Sequence, residues 1–171
     1  MSFEAWLAAL LGEDVSEVTT LLRYKRALKF LIAWSLFESK CFKGFMRKAD
    51  IESFAKRVSA DKSFDQSEVA KIAKRFHERY QDKNRYRNLL HNDSCPEMES
   101  LLGKPFESLK SPEIVFLATF TVYRYRNNIF HGNKGVHSWL KFGVQIDQCT
   151  EVMKILVDHA EAKTPGLLVA A

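Results

Sequence analysis

The chain is poor in turn-forming residues, with seven Gly and four Pro among 171 positions. An all-β fold built on many tight turns needs more punctuation than that. Cysteine is scarce as well. Cys41, Cys95 and Cys149 are odd in number, widely spaced and without a CxxC pair. That spacing fits a reducing compartment and gives no zinc signature. Long hydrophobic runs are missing. Leu28 to Phe37 and Ile114 to Phe120 fall well short of the roughly 18 residues a membrane span requires. The N-terminus, MSFEAWLAALLGEDVSE, lacks a basic leader and a clean cleavage site, so it reads as an amphipathic helix, not a signal peptide. No phosphate-binding glycine motif occurs. His131 and His137 have no acid or Cys at ligand spacing, so no metal and no cofactor are expected. The expected location is the cytoplasm, with no membrane partner.

What is present suits one domain with a substantial core: 46% of the residues are hydrophobic and thirteen are Phe. Lys and Arg number 26 against 21 Asp and Glu, for a net charge of +5 and a pI near 9.1. This mild excess is compatible with a polyanionic partner and equally with an ordinary soluble surface.

Apolar residues recur at three-and-four spacing through most of the chain, which predicts helices. Ser2 to Leu11 is the first, stopped by Gly12. Val18 to about Phe45 reads as one long helix, apolar on most sides around Leu28 to Phe37 and so central to a bundle. Glu38 interrupts that apolar stretch and is either paired or on the wet side. Asp50 is placed to cap Ile51 to Ser59, and Ser67 to cap a long helix that continues into Arg85–His91. Residues 97 to 111 form a connector with one helical turn at Met98 to Leu102. Ser111-Pro112-Glu113 is a strong start for Ile114 to Ile129, with Gly132 at the stop. Ser138 can cap a last helix to about Ala162. The expectation is an all-α bundle of five to six helices over residues 1–163, with a flexible tail at 164–171.

Two windows concentrate chemistry. RYRNLLHN, Arg85 to Asn92, and RYRNNIFHG, Arg124 to Gly132, share Arg-Tyr-Arg-Asn followed by His, each at a predicted helix C-terminus. At about 100° per residue, Asn127 and His131 share a helix face, whereas Arg126 points partly away from His131. Arg can grip a phosphate in a planar fork, and His can carry a proton near neutral pH. Basic residues at a helix end also complement the helix dipole, and a terminal His can cap carbonyls, so the residues alone carry either reading.

Arg126-Asn127-Asn128-Ile129-Phe130-His131 resembles the Arg-x(4–6)-His motif of the HEPN superfamily, in which a polar residue, often Asn, follows the Arg. The resemblance implies a small all-α bundle with the motif near the end of a late helix. It implies a metal-independent endoribonuclease of toxin–antitoxin or defence type, acting as a homodimer whose two motifs meet in one composite site. The matched catalytic positions are Arg126, Asn127 and His131. The first window departs from the pattern, because only three residues separate Arg87 from His91, and Tyr86 replaces the polar residue if it is read from Arg85. Tyr86, His91 and Tyr125 are therefore auxiliary candidates, as is Glu38, a counterpart of the early acidic residue of some members.

The residue chemistry is consistent. His131 can serve as acid or base, Arg126 can stabilise charge on the phosphorane, and Asn127 can orient either partner. RNA, whether tRNA or mRNA, would track the basic residues Lys71, Lys74, Arg75, Arg79, Arg85, Arg87 and Arg124, with Tyr86 or Tyr125 stacking on bases. A solvated helix surface has the same composition. The alternative is a non-catalytic helical module that binds RNA or a protein partner such as an antitoxin.

Overall fold

The computed structural model describes residues 1–23, 25–91, 93–130 and 141–163. Among these the chain is helical, with no strand. In chain order the helices are α1 (Phe3–Leu11), α2 (Val15–Arg23), α3 (Arg26–Phe42), α4 (Asp50–Ser59), α5 (Ser67–Tyr80), α6 (Lys83–Leu90), α7 (Pro96–Leu102), α8 (Ser111–Phe130) and α9 (Gly143–Lys163), with a 3-10 turn at Phe106–Ser108. The all-α expectation holds. The expected five or six helices become nine among the described residues, because two long stretches each divide and the expected connector holds a helix of its own. The expected Gly132 stop, the Ser138 cap and the 164–171 tail lie outside the described residues.

The centre of the bundle is α8. Every residue from Ile114 to Val122 is buried, and the helix packs against α4, α5, α6, α7 and α9. It starts where Ser111-Pro112-Glu113 said it would: the Glu113 carboxylate folds back to accept from the Lys110 amide at 2.7 Å. Burying side chains such as Leu117 and Phe120 stabilises the fold by about 1.5–3 kcal/mol each.

The single helix expected from Val18 to Phe45 is two. In α2, Val18 packs with Leu7 and Ala8 of α1, in a small cluster separate from the main core. In α3, Phe30, Trp34, Phe37 and Cys41 face the main core. The apolar pattern runs on, but its two halves face different partners. Nor is α3 central. It covers the outside of the bundle against α9, and Leu28, Leu31, Ile32 and Leu36 remain 40–57% exposed. Two ion pairs join α3 to α9: Arg26–Asp147 at 2.8 Å and Lys40–Glu161 at 2.9 Å. Arg26 crosses Gly143, where an added Cβ would collide with its guanidinium. Phe37 meets Trp34, Phe42 and Phe54 edge-on, with centroids 5.2–6.1 Å apart.

The second long stretch breaks at Asp82. Its carboxylate accepts from the amides of Asn84 (2.9 Å) and Arg85 (3.0 Å), which makes it an N-cap and starts α6 as a new helix. α6 ends at His91, which takes a left-handed conformation at φ 47. The connector after it holds a helix, α7, begun by Pro96. His77 ties α5 to this region: its Nε2 lies 3.2 Å from the Leu101 carbonyl and 3.0 Å from that of Lys104.

Candidate functional site

Arg124, Tyr125, Arg126, Asn127 and Asn128 occupy the last turns of α8 and diverge around its axis. A step of two residues is about 200° of rotation, so Arg124 and Arg126 leave the helix on opposite sides.

Arg126 turns toward α3. Its guanidinium lies over the Trp34 ring, 5.3 Å from the centroid, a cation–π arrangement. Its Nη1 donates to Asn127 Oδ1 at 3.1 Å. One turn along α3 from Trp34, Glu38 accepts from Trp34 Nε1 at 2.7 Å and, through its other oxygen, from the Met46 amide at 3.1 Å. Glu38 is thus half-buried and paired, fixing the indole that Arg126 rests on. A cleft of about 410 Å³ opens here, lined by Trp34, Ser35, Glu38, Ser39 and Arg126, with Leu31 and Gly44 at its sides. It offers one guanidinium, two hydroxyls and a carboxylate on a rigid aromatic base, a set that can hold an anion against Arg126. Arg126 is thus bonded to Asn127 and shares a cleft with Glu38, while Asn127 is not among the residues lining that cleft. Trp34 was not singled out from the sequence, although its i,i+4 relation to Glu38 was there to read. His131 lies outside the described residues.

Arg124 takes the opposite direction and is 7% exposed. It donates to the carbonyls of Leu89 (3.2 Å) and Leu90 and pairs with Asp93 at 3.0 Å. It was expected on the RNA face. Instead it caps the C-terminal end of α6 from inside the bundle, where last-turn carbonyls lack helical partners. Burial raises the Asp93 carboxyl, but bonds from Lys48 and the Ser94 amide and the charges of Lys48 and Arg124 outweigh it, so it is held below its ordinary range.

Tyr125 is also buried, in a hydrogen bond with Tyr80 at 3.1 Å, which removes it as a base-stacking platform. Burial pushes its hydroxyl up to about 12. Tyr86 is half-buried, its hydroxyl donating to the Cys95 carbonyl at 3.4 Å. His91 is exposed at the end of α6. None of the three lines the Arg126 cleft.

The basic residues of α5 and α6 do not line the cleft either. Lys71, Lys74, Arg75, Arg85 and Arg87 are exposed and Arg79 is half-buried. Acids partly offset the row: Glu68 pairs with Lys71 at 2.5 Å, Glu107 with Lys74 at 2.8 Å, and Asp82 approaches Arg85 at 3.6 Å. Among the described residues no group of three or more His, Cys, Asp or Glu side chains converges as metal ligands would, and no helix is long and apolar enough to cross a membrane. Comparison with protein-family models, with curated proteins and with solved structures finds no match to this chain.

Proposed function

We propose that this protein is a metal-independent endoribonuclease of HEPN type, with Arg126, Asn127 and His131 as its catalytic residues. The observation that carries the reading is the seating of Arg126: at the end of a buried helix, over the Trp34 ring, bonded to Asn127, in a cleft shared with Glu38. A planar guanidinium held in this way is preorganised for the charge that develops on a phosphorane. Asn127 keeps the fork oriented. Glu38 acts through Trp34 and is a positioning residue. His131 takes the 2′-OH proton or protonates the 5′-oxygen. One imidazole serves poorly as both base and acid in a single step, so a second copy supplies the other. The exposed row Leu28, Leu31, Ile32 and Leu36 supports that contact, because Leu31 also borders the cleft. The basic row of α5 and α6 then carries the RNA backbone.

The test is incubation of pure protein with total tRNA and a structured mRNA in EDTA. Cleavage leaving 2′,3′-cyclic phosphate and 5′-hydroxyl ends is expected, and its loss in Arg126→Ala and His131→Ala. Cleavage retained in a clean His131→Ala preparation sinks the proposal. Ile32→Glu is expected to shift the sedimenting species from dimer to monomer and to abolish cleavage.

The same apolar row favours a second reading, a non-catalytic module that holds a protein partner on α3. Salt-sensitive RNA binding without cleavage by the wild type, or neither, would decide for it.

A further inference from the structure

A smaller pocket lies apart from the Trp34 cleft, where α5, α6 and α8 meet. Arg79 and Tyr80 of α5, Arg85 and Asn88 of α6, and Tyr125 and Asn128 of α8 form most of its wall. It holds about 50 Å³. An engineered cavity of about 150 Å³ takes a benzene ring, so this one is too small for a nucleobase and suits a compact polar head group.

Two residues of this wall each carry a buried polar atom with no hydrogen-bond partner, Arg79 Nε and Asn128 Oδ1. They are opposite in kind: the first can only donate and the second can only accept. Asn128 is 5% exposed, and its Nδ2 donates to the Leu89 carbonyl at 2.9 Å. That bond fixes the amide, so the oxygen is the atom left over. Buried polar atoms are nearly always satisfied, and two orphans of opposite sense beside one void describe a ligand with both acceptor and donor oxygens. The charge balance selects its sign. Arg79 and Arg85 stand against one carboxylate, Asp82, at 3.6 Å from Arg85. The Tyr80 and Tyr125 hydroxyls, 3.1 Å apart, stay protonated and add no negative charge.

We propose that this pocket binds a phosphate group that still carries a proton, its oxygens accepting from Arg79 and Arg85 and its P–OH donating to Asn128 Oδ1. Sulfate has no such proton near neutral pH, nor does an internal phosphodiester. Inorganic phosphate has one, and a phosphate monoester regains one below about pH 6. The site uses neither Arg126 nor His131; Arg79 and Arg85 also belong to the row proposed to carry RNA, so phosphate binding is read by titration without RNA, separately from cleavage.

Calorimetric titration of the whole chain at pH 6 with inorganic phosphate, 5′-AMP, adenosine and sulfate tests it. One-to-one binding of phosphate is expected, at least tenfold tighter than sulfate, with none for adenosine. Binding of 5′-AMP as well, weakening from pH 6 to 8, assigns the site to the phosphate ends of nucleotides; its failure to bind assigns it to free phosphate. Arg85→Ala, at an exposed position, and Arg79→Gln are each expected to weaken binding about tenfold or more, with unchanged circular dichroism. Equal affinity for sulfate overturns the proposal. So does binding indifferent to both substitutions, or no binding at all, which leaves the pocket to water.

Discussion

Arg124 and Arg126 are the same residue type two positions apart, and their surroundings give them different work. Arg124 satisfies two carbonyls and a carboxylate inside the bundle. Arg124→Ala orphans those groups and is expected to cost about 3 kcal/mol, read as a lower urea midpoint. Arg126→Ala gives up the contact with Trp34 and the bond to Asn127 beside an open cleft, and is expected to cost less than Arg124→Ala in urea unfolding while removing the proposed cleavage. Asp93 gives the pair a pH signature. A carboxyl held below its unfolded value contributes stability that is present above about pH 4 and is lost as the pH falls through the folded value. Asp93→Asn should therefore lower the urea midpoint at pH 7, with the gap to wild type closing progressively below about pH 4. The opposed directions of the two arginines were implicit in a step of about 200° along a helix. Which side was wet was not, because that depends on α6 and α3 arriving from distant parts of the chain.

At the scale of elements, α8 carries the most apolar burial. Leu117→Ala, at a position with no exposure, is expected to cost about 2–5 kcal/mol in urea unfolding. This helix was legible because its start is written in local chemistry, cap, Pro and acid, and its apolar residues come without interruption. The α5–α6 break was partly legible: Asp82 is a good cap residue, but the basic run from Lys71 to Arg87 crosses it with no Gly or Pro to mark a stop. The α2–α3 division was not legible. Periodicity reports that a face is buried, not against what, and Val18 and Phe30 belong to different clusters. For the same reason α3 reads as central although Leu28 and Ile32 face outward.

For the whole molecule, the three thiols mark the core. Cys41, Cys95 and Cys149 are all buried and unbridged. Burial pushes Cys41 up to about 12 and Cys95 up to about 11, and holds Cys149 far above its ordinary range. At pH 8 the native protein should react negligibly with a disulfide reagent, and all three thiols should react once guanidinium unfolds it. Rapid native labelling would mean the core opens far more readily than its packing implies.

The sealing of α8 has a further consequence. Along Ile114–Val122 every residue is buried, and amides there exchange with heavy water only when the bundle opens as a whole. Arg126 stands one turn beyond that stretch on the same helix, with its guanidinium in a surface cleft. Whatever grips that guanidinium adds its binding energy to the global unfolding step, so slower deuterium uptake along Ile114–Val122, remote from the cleft, would report occupancy of the site without any assay of activity.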